Sequence, residues 1–336
     1  MTSMGSARFT TLDGMRGFAA IAVLFYHLHG SSVVPMSGGY LAVDFFFALS
    51  GFVICAAYEQ RLRDGLTLAE FAVLRLIRVY PMYFLGTALG LAISGGSILA
   101  LYPFPEFRSA YALFPSNGPM WSMFFEIVVN LVFAALALRV GRRGLALIIA
   151  GSGAVLAQAV IGHGHADLGA FWADAGIGLV RTVFSFSIGV AICRARARLG
   201  RGSRTSALAW LLPPVLLATM WLAPDHRAWW DLFAIFAVMP ALVWLGASWS
   251  IPASRSFRAL GDLSYPLYCI QAPLVRFADG PWWVAAAFTI AIVAVALWLD
   301  RAFDRPARAW LSRHFEARYR PRLARPQAAT VCPVIK

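Results

Sequence analysis

Ten stretches of this chain are long and apolar enough to cross a lipid bilayer, and arginines collect in every second loop between them. No soluble fold hides that many apolar runs, so the chain is expected to be an all-α polytopic membrane protein, its helices packed in one bundle. The expected segments are 15–29, 38–58, 75–94, 118–138, 144–162, 174–193, 207–223, 229–249, 260–276 and 281–302. The first is short unless it begins near Leu12. Arginine clusters occur at Arg61/Arg63/Arg75/Arg78, Arg139/Arg142/Arg143, Arg194/Arg196/Arg198/Arg201/Arg204, Arg255/Arg258 and from Arg301 onward. The intervening loops hold only Arg108, Arg227 and Arg276, beside Glu106, Asp167, Asp174, Asp225 and Asp279. Positive charge is retained on the cytoplasmic side, so both termini are expected there, with the chain in the cytoplasmic membrane of a bacterium.

The chain has 336 residues, 60% of them hydrophobic, and a net charge of +13. Its arginines are spread as topogenic clusters, which argues against a nucleic-acid partner and for contact with membrane lipids. Residues 1–311 read as one transmembrane domain. Residues 312–336 read as a basic, disordered cytoplasmic tail containing RYRPRLARP. The four cysteines, Cys55, Cys193, Cys269 and Cys332, match no metal or disulfide spacing. The first apolar run is not read as a signal-peptide core, because many more spans follow it and because it holds an arginine and a histidine.

Those two residues are Arg16 and His27, in LDGMRGFAAIAVLFYHLHG. Eleven helical residues make three turns plus about 20°, so both side chains share a face, roughly 16 Å apart along the axis. Ionisable groups inside a span are costly and mark sites or relays. With the orientation above, Arg16 is near the cytoplasmic face and His27 near the outer one. Asp44 falls in the outer part of the second segment, sharing a face with Ala48 and Gly51 that suits close packing. In the fourth segment Ser122, Glu126 and Asn130 form a stripe at spacing four. His27, Asp44 and Glu126 are therefore expected to converge in the outer half of the bundle, with Asp44 or Glu126 orienting His27. The alternative reading has Asp44 and Glu126 paired with Arg16 or Arg181 to hold helices together.

Arg75 and Arg78 stand one turn apart at the inner face in RLIRVYPMY, followed by Tyr80 and Tyr83. The ninth segment places Ser264, Tyr265 and Tyr268 at the same level, and its Pro266 and Pro273 free backbone groups to line a cavity. Arginines suited to phosphate thus lie inside and a histidine suited to general base work lies outside. A phosphate-bearing acyl carrier anchored inside, on Arg75, Arg78, Tyr83, Ser264, Tyr265 and Tyr268, would deliver its thioester to His27. The rival class is a transporter or lipid-linked glycan flippase coupled through the same ionisable residues, although no internal repeat is visible.

Five stretches, LDGMRGFAAIAVLFYH, GGYLAVDFFFALSGFVI, RLIRVYPMY, MWSMFFE and LGDLSYPLY, in that order, resemble acyltransferase family 3, the membrane-bound glycan O-acyltransferases. The resemblance covers nearly the whole chain. It implies an arginine–histidine motif at Arg16 and His27, an aspartate at Asp44, an RxxR pair at Arg75 and Arg78, and a WS…E motif at Trp121, Ser122 and Glu126. It also implies acyl-CoA, most often acetyl-CoA, as cytoplasmic co-substrate, and a glycan or glycosylated small-molecule acceptor on the far side. Where the family often carries a histidine after SYPLY, this chain has Gln271. No appended SGNH-type hydrolase domain is evident, which points to a single-domain enzyme.

Overall fold

The computed structural model describes residues 9–28, 36–200, 203–224, 227–251 and 254–323. His29, Arg201, Asp225, Cys332 and the tail beyond Leu323 lie outside the described residues. The described chain is mostly helical. Its helices are α1 (Thr10–His27), α2 (Ala42–Arg63), α3 (Leu68–Ser94), α4 (Met120–Leu136), α5 (Arg142–His163), α6 (Ala175–Arg198), α7 (Leu212–Trp221), α8 (Ala228–Phe233), α9 (Met239–Ser248), α10 (Ser254–Leu274), α11 (Trp282–Leu299) and α12 (Arg305–Leu323). A two-residue parallel pairing, Arg204–Thr205 with Trp249–Ser250, is the sole strand pair among the described residues.

Six of these rods are long and apolar enough to cross a membrane: Gly39–Arg63, Leu68–Ser94, Arg142–His163, Ala175–Arg198, Ala228–Ser248 and Trp282–Phe315. The other four expected segments are helical but do not reach that length and apolarity. The helices from Met120 and from Ala207 are shorter. The α1 helix carries Asp13 and Arg16, and α10 carries Arg255, Arg258 and Asp262. Both of these polar helices sit against neighbours, with most of the α1 side chains buried.

Two boundaries differ from expectation for local reasons. Helix α3 begins seven residues earlier than expected, because Thr67 and Glu70 form a capping box: the Thr67 hydroxyl accepts from the Glu70 N–H, and the Glu70 carboxylate accepts from the Thr67 N–H. Arg75 and Arg78 therefore lie two to three turns inside a helix rather than at its start. At the other end of the chain, α11 passes through a π-helical turn, Asp300–Asp304, straight into α12, so the expected tail from 312 begins as helix and stays helical to Leu323.

Glycines set how close the central helices come. A Cβ at Gly51 would lie 2.0 Å from the Phe186 carbonyl oxygen, and one at Gly189 would lie 1.9 Å from that of Ala48. Helices α2 and α6 thus touch backbone to backbone, as the Asp44–Ala48–Gly51 face suggested. Helices α1 and α10 run parallel and are equally close, with Gly14 against Phe257 and Gly17 against Leu260. Gly189→Ala is expected to cost about 1–3 kcal/mol by overpacking, read as a lowered thermal midpoint of the purified protein. Gly162→Ala, with no atom within 4 Å of the added methyl, should not lower that midpoint, since alanine is the better helix former.

Candidate functional site

A cavity of about 180 Å3 lies among α1, α2, α3, α4 and α10. Three arginines line it, Arg16, Arg75 and Arg78, against one carboxylate, Glu126. Ser50, Ser122, Ser264, Tyr265 and Tyr268 supply hydroxyls, and Phe46, Phe47, Val43 and Met123 an apolar wall. Every one of the expected donor-side residues except Tyr83 is on this list. The Tyr83 hydroxyl instead donates to the carbonyls of Ala100 and Tyr102, at 2.9 and 2.8 Å, and ties α3 to the loop that follows it.

Each polar wall residue is fixed by a second contact. The Arg16 Nε donates to Ser264 Oγ at 2.8 Å and its Nη2 to the Gly261 carbonyl at 2.7 Å, so α10 holds the arginine in place. Arg78 stacks over the Tyr265 ring, 5.5 Å from its centroid, while the Tyr265 hydroxyl donates to the Val79 carbonyl. Ser122 Oγ and the Tyr268 hydroxyl are 2.6 Å apart. Glu126 accepts from Ser50 Oγ at 2.6 Å and lies 3.5 Å from Arg75 Nη2. Pro273 has no N–H to offer the carbonyl of Cys269, four residues back. The Asn117 side chain takes that acceptor instead, at 2.8 Å.

The structure sets two of the three residues expected to converge, Asp44 and Glu126, in different polar groups. Glu126 is level with Ser50, six residues beyond Asp44 on α2, about 9 Å along the helix, and it belongs to the arginine cavity. Asp44 is fully buried and held by Arg181, also fully buried. The Arg181 Nε donates to Asp44 Oδ1 at 2.9 Å and its Nη2 to Oδ2 at 2.5 Å, with Ser185 Oγ 3.3 Å from Oδ1. This is the helix-holding alternative for Asp44, and it answers the need of Arg181 for a partner. Arg181 also donates to the Leu168 and Tyr40 carbonyls. Tyr40 in turn donates its hydroxyl to Asp231, which accepts from the Ala166 N–H at 2.7 Å.

His27 stands at the far end of α1 from the cavity, three turns beyond Arg16. Its Nδ1 is 2.9 Å from the Val23 carbonyl oxygen. A carbonyl only accepts, so Nδ1 carries the proton, and in the neutral ring the lone pair belongs to Nε2. The Val23 carbonyl, on His27's own helix, is one group that orients the ring. The Tyr26 ring packs edge-on against His27, and the Tyr26 hydroxyl donates to Asp167 at 2.5 Å.

Two parts of the site escaped the sequence reading. Ser50 carried no spacing signal toward Glu126, which lies on another helix. The second is an ion network behind Arg78. Its Nη1 lies 3.9 Å from Asp304, which pairs with Arg308 at 2.8 Å, while Arg305 bridges Asp300 and Asp262 at 2.6 and 2.7 Å. The spacing of Asp300, Asp304 and Arg308 at four was visible, but it lay inside a stretch read only as topogenic charge.

The fold and the cavity define an α-helical membrane protein with a cationic chamber between its helices. The profile of acyltransferase family 3, described as an acyltransferase domain, matches residues 9–301, and the chain belongs to that family. It is 34% identical over 188 residues to protein 2 in the picA locus of Rhizobium radiobacter, a match covering 46% of this chain and 96% of the relative. It is 32% identical over 103 residues to a putative acetyltransferase, ORF330, of Acidianus two-tailed virus, covering 30% of this chain and 28% of that protein. The O-acetyltransferase OatA of Staphylococcus aureus is 40% identical over 72 residues, 21% of this chain and 11% of OatA. No solved structure matches.

Proposed function

We propose that this protein is an O-acyltransferase that moves an acyl group from acyl-CoA to a hydroxyl of a glycan or glycosylated acceptor. The observation that carries the reading is the cavity in which Arg16, Arg75 and Arg78 face a single glutamate. Such a surplus of guanidinium suits a polyanionic ligand, and arginine binds phosphate through charge-assisted hydrogen bonds. The O-acetyltransferase name of the Staphylococcus aureus relative favours acetyl as the group carried.

In this reading ten helical rods span the cytoplasmic membrane of a bacterium, with both termini and the Arg16 end of α1 on the cytoplasmic side. The nucleotide phosphates rest on Arg75, Arg78 and Arg16. The acyl thioester reaches toward His27, three turns away. His27 Nε2 takes the proton of the acceptor hydroxyl as its oxygen attacks the thioester carbonyl. The C–S bond then breaks, the ester forms, and the coenzyme leaves as a thiolate that recovers the proton. Glu126 and Ser50 keep Arg75 aimed into the cavity, and Asp44 with Arg181 braces α2 against α6.

Purified protein in liposomes, given labelled acetyl-CoA on one face and a glycan acceptor on the other, tests this directly. Label should pass to the acceptor. Arg75→Ala and Arg78→Ala should each raise the KM for acetyl-CoA roughly tenfold or more, the worth of a hydrogen bond to a charged group, and leave the KM for acceptor within twofold. A shift confined to the acceptor would make these arginines topogenic only, and transport of the glycan without transfer of label would replace the enzyme by a carrier.

A further inference from the structure

Gln271 is buried, with no measurable exposure, and neither its Oε1 nor its Nε2 has a hydrogen-bond partner among the described residues. A buried carboxamide left unpaired costs free energy at both atoms. The residue therefore asks for a ligand.

Its position says which part of which ligand. Ser264, Tyr268 and Gln271 fall at i, i+4 and i+7 of α10 and share one helix face. The first two line the arginine cavity, and Ser264 holds Arg16. Gln271 is about 10 Å along α10 from Ser264, and His27 about 16 Å along α1 from Arg16. The two helices run parallel in close contact, so Gln271 stands between the arginines and the histidine, on the line a donor must follow. The cavity stops at Tyr268, whose ring packs edge-on against Phe46 and whose hydroxyl meets Ser122.

Resting on the reading of acyl-CoA as donor, we propose that Gln271 binds an amide of the donor's pantetheine arm. A carboxamide offers one acceptor and two donors, the complement of a secondary amide that offers one of each. The arm passes Tyr268 as that ring turns from Ser122, and its amide then satisfies both orphaned atoms of Gln271. The phosphates stay with Arg16, Arg75 and Arg78. Gln271 is thus the residue that separates a donor carrying an amide-bearing arm from any other polyanion of similar charge.

The test compares two ligands on full-length protein in lipid nanodiscs: CoA, and adenosine 3′,5′-bisphosphate, which keeps phosphates but has no arm. Gln271→Leu should weaken CoA binding about tenfold, the worth of roughly one or two hydrogen bonds, and leave bisphosphate binding within twofold. Its ligand-free thermal midpoint should be no lower than that of the unaltered protein. Gln271→His, which keeps a donor and an acceptor, should retain most of the CoA affinity. Should the leucine variant not be obtained folded, Gln271→Met carries the same comparison. Equal weakening of both ligands with a lowered midpoint would make Gln271 a structural residue and overturn the proposal, as would unchanged CoA binding. Unaltered protein that binds neither ligand would overturn the donor reading itself, and this proposal with it.

Discussion

His27→Ala is expected to lower acyl transfer by roughly 10²–10⁴-fold, the contribution of a positioned general base, while acyl-CoA binding stays within twofold of normal. The two halves of that expectation come from separate features. The ring nitrogen that donates to the Val23 carbonyl leaves Nε2 as the basic atom, so removing the ring removes the base. The arginine cavity is three turns away and shares no hydrogen bond with the histidine among the described contacts. The Val23 bond that the substitution removes is local to α1, so folding is checked beside activity by the thermal midpoint of the purified variant. Transfer by a well-expressed His27→Ala protein at near-normal rate would remove His27 from the mechanism and direct attention to Glu126, the cavity's carboxylate.

What the sequence disclosed and what it hid follow a physical division. Positions set by depth and helical period were readable. Arg16, Arg75, Arg78, Ser264, Tyr265 and Tyr268 were all placed at one end of their segments, and three segments that start at the same level can bring those residues near each other. Ser122 and Glu126 were found by their spacing of four. Pairings across helices were not readable, because they depend on rotation and vertical offset that no single segment encodes. Asp44 could meet Arg16 or Arg181, and only the close approach of α2 and α6 at Gly51 and Gly189 decides for Arg181. The level of Glu126 depends on where α4 begins after the loop of residues 95–119, whose folding is set by contacts such as the pairing of Ala112 with Phe171. The π-turn at Asp300–Asp304 is equally invisible to a period of 3.6, yet it leads the helix on to Arg308 and backs Arg78 with Asp304. One signal was present and passed over: the Thr67-x-x-Glu70 capping box, which fixes the true start of α3.

Arg181→Met is expected to be among the most damaging single changes in this protein, costing about 3–5 kcal/mol or preventing recovery of folded material. Asp44 and Arg181 are both fully buried, and loss of the guanidinium leaves Asp44 with Ser185 alone as a side-chain partner among the described residues. A carboxylate in that setting keeps its desolvation cost and loses the charge that offsets it. The same logic predicts a partial rescue. Replacing both members, Asp44→Leu with Arg181→Met, removes the buried charges together, and paired apolar substitutions of this kind are often nearly neutral. The double variant should therefore recover at least about 2 kcal/mol over Arg181→Met in thermal or denaturant unfolding, a coupling of the size seen for residues in one network. Full recovery is not expected, because Arg181 also donates to the carbonyls of Leu168 and Tyr40. The activity of the rescued protein then separates two roles for Asp44. If transfer returns with the fold, Asp44 serves to brace α2 against α6. If the protein folds and transfer stays lost, the charge of the pair is needed for the reaction, and Asp44 has a part in the mechanism beyond bracing.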